Sequence, residues 1–203
     1  MPHDAQKIVS NLKSGTSIKR DELSFIRTSL KSPLPDSDIH HLCRALALSV
    51  TPNKDDIALV EQYLSDSYDE WDIQGVIYAL CNYWKLTANY IDKLIVYVDL
   101  EQWEDSPSAA IAAIGVLGDY LYENKNPTVL KSLLTAYEQS IELHNKGLLN
   151  FNRIYADTIY QAINASIVGR QAALDAIGFR FPRDVNLKVI EKAYKNLKLW
   201  SNE

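Results

Sequence analysis

The stretch SPSAAIAAIGVLGDYLYENKNPTVLKSLLTAYE, Ser106 to Glu138, decides how this chain folds. It contains two helix entrances, Ser106-Pro107 and Asn126-Pro127. Each sets a capping side chain before a proline whose missing N–H costs nothing in a first helical turn. After each entrance apolar residues recur at three- and four-residue spacing, which predicts helices over 107–123 and 127–145. Ala109, Ala110, Ala113 and Gly115 are small enough to let a neighbouring helix approach closely. Asp119 is placed to hydrogen-bond exposed backbone near a helix end. The stretch reads as a pair of antiparallel helices.

The same spacing runs through most of the chain, and no segment alternates with period two between turn signals. Further helices are predicted over 4–13, 18–31, 37–50, 54–66, 70–84, 88–99, 151–168 and 184–200, with a short turn at 171–177. Thr51-Pro52 is a third entrance of the proline type, and Asp36 or Ser37 and Asp184 are candidate caps. The protein is expected to be all-α.

Three of the helices align: DIALVEQYL from Asp56, YIDKLIVYV from Tyr90 and TVLKSLLTAYE from Thr128. Ile57, Ile91 and Leu130 are equivalent anchors, and Val60, Leu94 and Leu133 follow three residues later. A helix with smaller residues precedes each: IHHLCRALALSV, IQGVIYALCNYW and SAAIAAIGVLGDYL. A two-helix unit thus recurs every 34 to 40 residues, the sequence mark of a helical repeat array. Residues 106–138, with paired alanines and Leu117-Gly118-Asp119 before a loop and an amphipathic helix, resemble a HEAT-type repeat. The likeness is weaker over 70–98 and at the level of pattern over 37–65 and 151–168. It implies one short right-handed α-solenoid over 1–203, with repeats in 36–168 and caps at 1–35 and 169–203. The last helix suits a cap, because Ile190, Ala193, Tyr194, Leu197 and Trp200 form one apolar stripe, with Lys188, Lys192 and Lys195 on another side.

With 203 residues, 47% hydrophobic and 23% charged, the chain suits an ordinary globular protein that buries roughly 70% of its unfolded surface. No apolar leader region and no membrane-length apolar run occurs, so a cytoplasmic chain is expected. Cys43 and Cys81 lie in apolar helical patterns and suit buried free thiols. Residues 1–35 carry six Lys/Arg against three Asp/Glu, residues 36–125 five against sixteen, and residues 126–203 ten against seven. The centre is therefore at -11 between ends at +3 each. Such a field opposes nucleic acid there and steers a basic partner toward it.

Chemistry-bearing motifs are scarce. His3, His40, His41 and His144 form no HExxH, and His40 with Cys43 is two ligands short of a zinc site. GxSxG, glycine-rich phosphate loops and CxxC are absent from the sequence. The carboxylate pairs Asp55-Asp56, Asp69-Glu70-Asp72 and Glu104-Asp105 all fall at predicted helix starts, where capping and the helix dipole favour them. Most of the twelve tyrosines are expected to pack in the core with the hydroxyl reaching water. No catalytic residue, metal site or cofactor is expected.

SYDEWD, Ser67 to Asp72, and LEQWED, Leu100 to Asp105, each place a tryptophan among carboxylates where one helical unit passes to the next. The repeat sets them side by side, so Asp66, Asp69, Glu70, Trp71, Asp72, Asp99, Glu101, Trp103, Glu104 and Asp105 are expected to form an acidic, aromatic partner-binding edge. One reading makes each tryptophan a staple folded onto the repeat beneath, and the other makes it an interface anchor. Both can hold at once. In size, charge and fold class the chain is similar to bacterial immunity proteins of polymorphic toxin systems, which implies a non-enzymatic inhibitor covering the basic cleft of a nuclease-type toxin. A general HEAT-repeat adaptor is the alternative. A HEAT-like DNA glycosylase fits less well, with only the basic GFRFPRD loop (Gly178 to Asp184) and the lysines of the last helix in its favour.

Overall fold

The computed structural model of the chain describes residues 4–34, 37–65, 67–99, 107–147, 150–174 and 185–202. Among these residues there are eleven α-helices and no strand. They are α1 (Ala5–Lys13), α2 (Arg20–Lys31), α3 (Ile39–Ser49), α4 (Lys54–Glu61), α5 (Glu70–Ile77), α6 (Ile91–Val96), α7 (Pro107–Glu123), α8 (Pro127–Asn145), α9 (Asn150–Val168), α10 (Arg170–Leu174) and α11 (Leu187–Trp200). No helix among the described residues is long and apolar enough to cross a membrane.

The local signals place most helix starts. Asn126 caps α8 by accepting the Val129 amide at 3.1 Å, with Pro127 at the first helical position. The helix expected over 54–66 begins at Lys54, but its cap is Asn53, whose side chain takes the Asp56 amide at 3.0 Å, and Pro52 lies outside α4. The start of α3 shifts. Asp38 caps α3 in place of Ser37, accepting the His41 amide at 3.1 Å. Asp36 and Asp184 lie outside the described residues, and Asn186 caps α11.

The helix expected over 70–84 divides. After Ile77 the backbone widens to a π-helix at Tyr78–Tyr83, where the Trp84 amide bonds back to the Ala79 carbonyl at 3.1 Å. Lys85 then takes the left-handed conformation, φ 58°, and ends the element. A π-turn inside a helix changes which residues face the neighbouring elements. Here it carries Tyr78 and Tyr83.

The chain divides into two compact units, Met1–Thr87 and Ala88–Glu203. In the first, α3 packs on α1, α2, α5 and the π-turn, while α4 packs on α2 and the π-turn. Alternate helices of the first unit are thus in contact, α1 with α3, α3 with α5 and α2 with α4. In the second unit α9 packs on α7, α8, α10 and α11, and α8 packs on α6, α7 and α11.

The aligned positions that follow the anchors are buried in both units. Val60, Leu94 and Leu133 are wholly buried, and the tyrosines that end their segments, Tyr63, Tyr97 and Tyr137, are buried as well. Burial of a large apolar side chain contributes about 2 kcal/mol. The hydroxyl of Tyr63 is bonded inside the protein, not to water as expected: it donates to the Leu30 carbonyl at the end of α2. Tyr155 of α9 likewise donates to Val98 just beyond α6. Carbonyls at helix ends lack intrahelical partners, so a buried phenol there supplies the missing donor. Asp56 is also internal: its carboxylate receives Nε and Nη2 of Arg27 at 2.9 and 2.7 Å and ties α4 to α2. Ile190 and Ala193 bury the inner stripe of α11, and Tyr194 donates its hydroxyl to Glu138 of α8.

Small residues act at positions the pattern alone does not single out. A Cβ on Gly115 would meet nothing within 4 Å, so that glycine makes no close helix contact. On Gly118 it would lie 2.7 Å from the Ala162 carbonyl oxygen, and on Gly75 2.5 Å from the His40 Cα. Gly118 therefore sets the approach of α7 to α9, and Gly75 that of α5 to α3. Asp119 pairs with Arg170 of α10, an ion pair absent from the sequence reading.

Candidate functional site

The start of α5 is built for carboxylates. Asp69 caps it, its side chain accepting the Asp72 amide at 2.8 Å, and Glu70 and Asp72 occupy the first turn, where the positive end of the helix dipole favours them. Trp71 lies between them. One turn on, Gly75 lets α5 settle against the backbone of His40, and this brings the indole onto the imidazole. The Trp71 and His40 rings stack with centroids 4.0 Å apart and planes at 11°. Trp71 remains 49% exposed, while His40 has no exposure.

His40 is held on three sides. Its backbone N–H, an orphan of the first turn of α3, donates to Asp72 Oδ1 at 3.1 Å. Nδ1 lies 2.7 Å from the Trp71 carbonyl oxygen and so must carry the proton. Nε2 lies 2.8 Å from Arg44 Nη1, and since a guanidinium only donates, Nε2 must present its lone pair. The imidazole is therefore neutral. Burial lowers its pKa to about 4 against the opposing pull of the Trp71 carbonyl, with smaller lowering contributions from the charges of Arg44 and His41. Burial, and then the charge of Asp69, push Asp72 up to about 6.

Arg44 continues the row. Its Nη2 reaches the Tyr83 hydroxyl at 3.4 Å, and its guanidinium carbon sits 5.4 Å from the centre of the Tyr78 ring. His41 lies on the same side of the indole as His40: it bonds to Asp38 at 2.8 Å, and its ring centroid is 4.8 Å from that of His40 and 6.3 Å from the indole. The cluster thus gathers around His40: Trp71 on its face, His41 with Asp38 at its edge, and Arg44 with the two tyrosines of the π-turn at Nε2.

Of the ten residues expected at the acidic edge, Asp69, Glu70, Trp71 and Asp72 come together at the start of α5. Asp69 is exposed, whereas Asp72 is half-buried and supports α3. Asp99 is exposed and lies in the second unit. Asp66, Glu101, Trp103, Glu104 and Asp105 lie outside the described residues, and with them the pairing of SYDEWD with LEQWED. Trp84 is buried, its indole N–H bonded to the Val50 carbonyl at 3.1 Å.

His40, Arg44, Tyr78 and Tyr83 were missed as site residues. The only sequence signal was the four-residue spacing of His40 and Arg44, and of Trp71 and Gly75, on two separate helices. Cys43 is buried, and no group of three or more His, Cys, Asp or Glu is placed to hold a metal ion among the described residues. The arrangement offers an aromatic face, fixed carboxylates and one guanidinium, all groups suited to recognition. No protein-family model, characterised protein or solved structure matches the chain.

Proposed function

We propose that the chain is a non-catalytic protein-binding module, a short α-solenoid of HEAT-like helix pairs whose acidic Trp71 surface docks on a basic partner. The observation that carries this reading is the indole of Trp71, half exposed yet seated on a buried, fully bonded histidine. An aromatic anchor held in place before binding loses little freedom on docking, and Trp, Tyr and Arg dominate interface energetics. Asp38, Asp69, Glu70 and Asp72 surround it within a stretch of net charge -11, which favours a cationic partner. The side-by-side packing of alternate helices in the first unit, and the burial of Val60, Leu94 and Leu133, support the repeat reading.

The concrete form of the proposal is an immunity protein that occludes the basic cleft of a nuclease-type toxin. The test is co-purification with a basic toxin domain encoded beside it, followed by titration of Trp71→Ala and of Asp69→Asn with Glu70→Gln. Asparagine keeps the helix cap while removing charge. We expect Trp71→Ala to weaken the complex at least about 100-fold and the neutralised pair to slow association chiefly at low salt. Unchanged affinity in Trp71→Ala would overturn the surface, and binding to duplex DNA at moderate salt would favour the nucleic-acid reading instead.

A further inference from the structure

Among the described residues, the surface assigned to a basic partner holds a cation, Arg44, that has no counter-ion. Arg44 lies in the -11 stretch, yet its contacts are a neutral imidazole, a phenol hydroxyl and an aromatic face. Among the described residues no carboxylate pairs with it, in contrast to Arg27 with Asp56 and Arg170 with Asp119. Two of the five N–H groups of the guanidinium are engaged, and Nε is buried without a partner. The fork is held rigidly, since His40 is itself locked by the Trp71 carbonyl.

Docking on a basic surface would cover this guanidinium, and a covered charge facing like charge is strongly unfavourable unless an acceptor meets it. The planar fork accepts a carboxylate through two parallel hydrogen bonds. We propose that Arg44, flanked by Tyr83 and Tyr78, is a carboxylate-binding subsite that receives an Asp or Glu side chain of the partner while Trp71 enters an adjoining apolar pocket. This rests on the binding-module reading and adds its selectivity. A partner that is basic throughout would be rejected, and one that carries a single acid opposite Arg44 would be accepted. Attraction to one group combined with repulsion of others is how related interfaces are kept apart.

The subsite can be tested on the protein alone, apart from any partner. Sodium acetate, sodium phosphate and sodium chloride are titrated at matched ionic strength into protein labelled with 15N, while the Arg44 side-chain and His40 ring nitrogens are followed by NMR. We expect acetate to shift both sets of signals saturably, the shift to vanish in Arg44→Gln, and chloride to leave them unmoved. Arg44→Lys keeps the charge without the fork, so it should bind acetate at least about 5-fold more weakly. If Arg44→Gln does not fold, Arg44→Lys alone decides, and wild-type affinity in it would overturn the fork geometry. A response to acetate no larger than to chloride would overturn the subsite, and stronger saturation by phosphate would overturn its carboxylate assignment. A positive acetate result beside unchanged partner affinity in Trp71→Ala would leave the subsite standing and sink the docking surface.

Discussion

The ring of His40 lies under the indole of Trp71, the centroids 4.0 Å apart, and the same ring hands its free lone pair to Arg44. One buried imidazole therefore fixes both the exposed aromatic face and the unpaired cation. It can do so only while neutral, because a proton on Nε2 would remove the acceptor and set two cations against each other.

Two tryptophans of the first unit separate stability from recognition. Trp84 is buried and bonded to Val50, so Trp84→Ala is expected to cost about 4 kcal/mol in urea denaturation. Trp71 covers only half its surface, and Trp71→Ala should cost about 2 kcal/mol from lost area and ring stacking. A larger loss for Trp71→Ala than for Trp84→Ala would mean that the indole serves the core first.

Three glycines should respond in opposite directions to alanine. Gly75→Ala drives a methyl into the His40 backbone and Gly118→Ala into that of Ala162, and each is expected to lose about 3 kcal/mol. Gly115→Ala meets open space within a helix and should gain about 0.5 to 1 kcal/mol. Thermal melts of the three variants check the ranking, and destabilisation by Gly115→Ala would contradict it.

Lys85 holds a left-handed backbone that glycine adopts without a Cβ clash. Lys85→Gly is expected to stabilise the first unit by about 1 kcal/mol. A neutral or lower denaturation midpoint would indicate that the lysine side chain stabilises the turn in some other way.

Two groups in contact give opposed pH dependences. His40 is a base with its folded pKa at about 4, below the ordinary 6.5, so its contribution is fully present above pH 6.5 and is lost as pH falls toward 4. Asp72 is an acid held at about 6, above the ordinary 3.8, so its contribution is present below pH 3.8 and is lost as pH rises toward 6. Between about pH 4 and 6 the two slopes, each about 1.4 kcal/mol per unit, offset one another. Asp72→Asn keeps an acceptor for the His40 amide but removes one slope. Relative to the parent, it should lose about 2 kcal/mol as pH falls from about 6 to 4, read by urea denaturation across that range. Parallel curves for the two proteins would show that Asp72 does not titrate in this window.

The sequence alone determined the helical period, the start of α7 at Pro107 and of α8 at Pro127, the burial of Val60, Leu94 and Leu133, and the division of charge. These are short-range matters, settled by capping side chains, proline geometry and three- to four-residue spacing within single helices. Tertiary structure decided that Trp71 is exposed and Trp84 buried, that Gly75 and Gly118 set helix approaches while Gly115 does not, and that His40 is neutral. It also decided where Arg44 goes. Those outcomes depend on where separate elements meet, joining residues 31 to 44 positions apart, and a π-turn at Tyr78–Tyr83 shifted the facing side chains again. Spacing within one helix carries no record of which residue of another helix will lie opposite it, because that is fixed only when the packed faces meet.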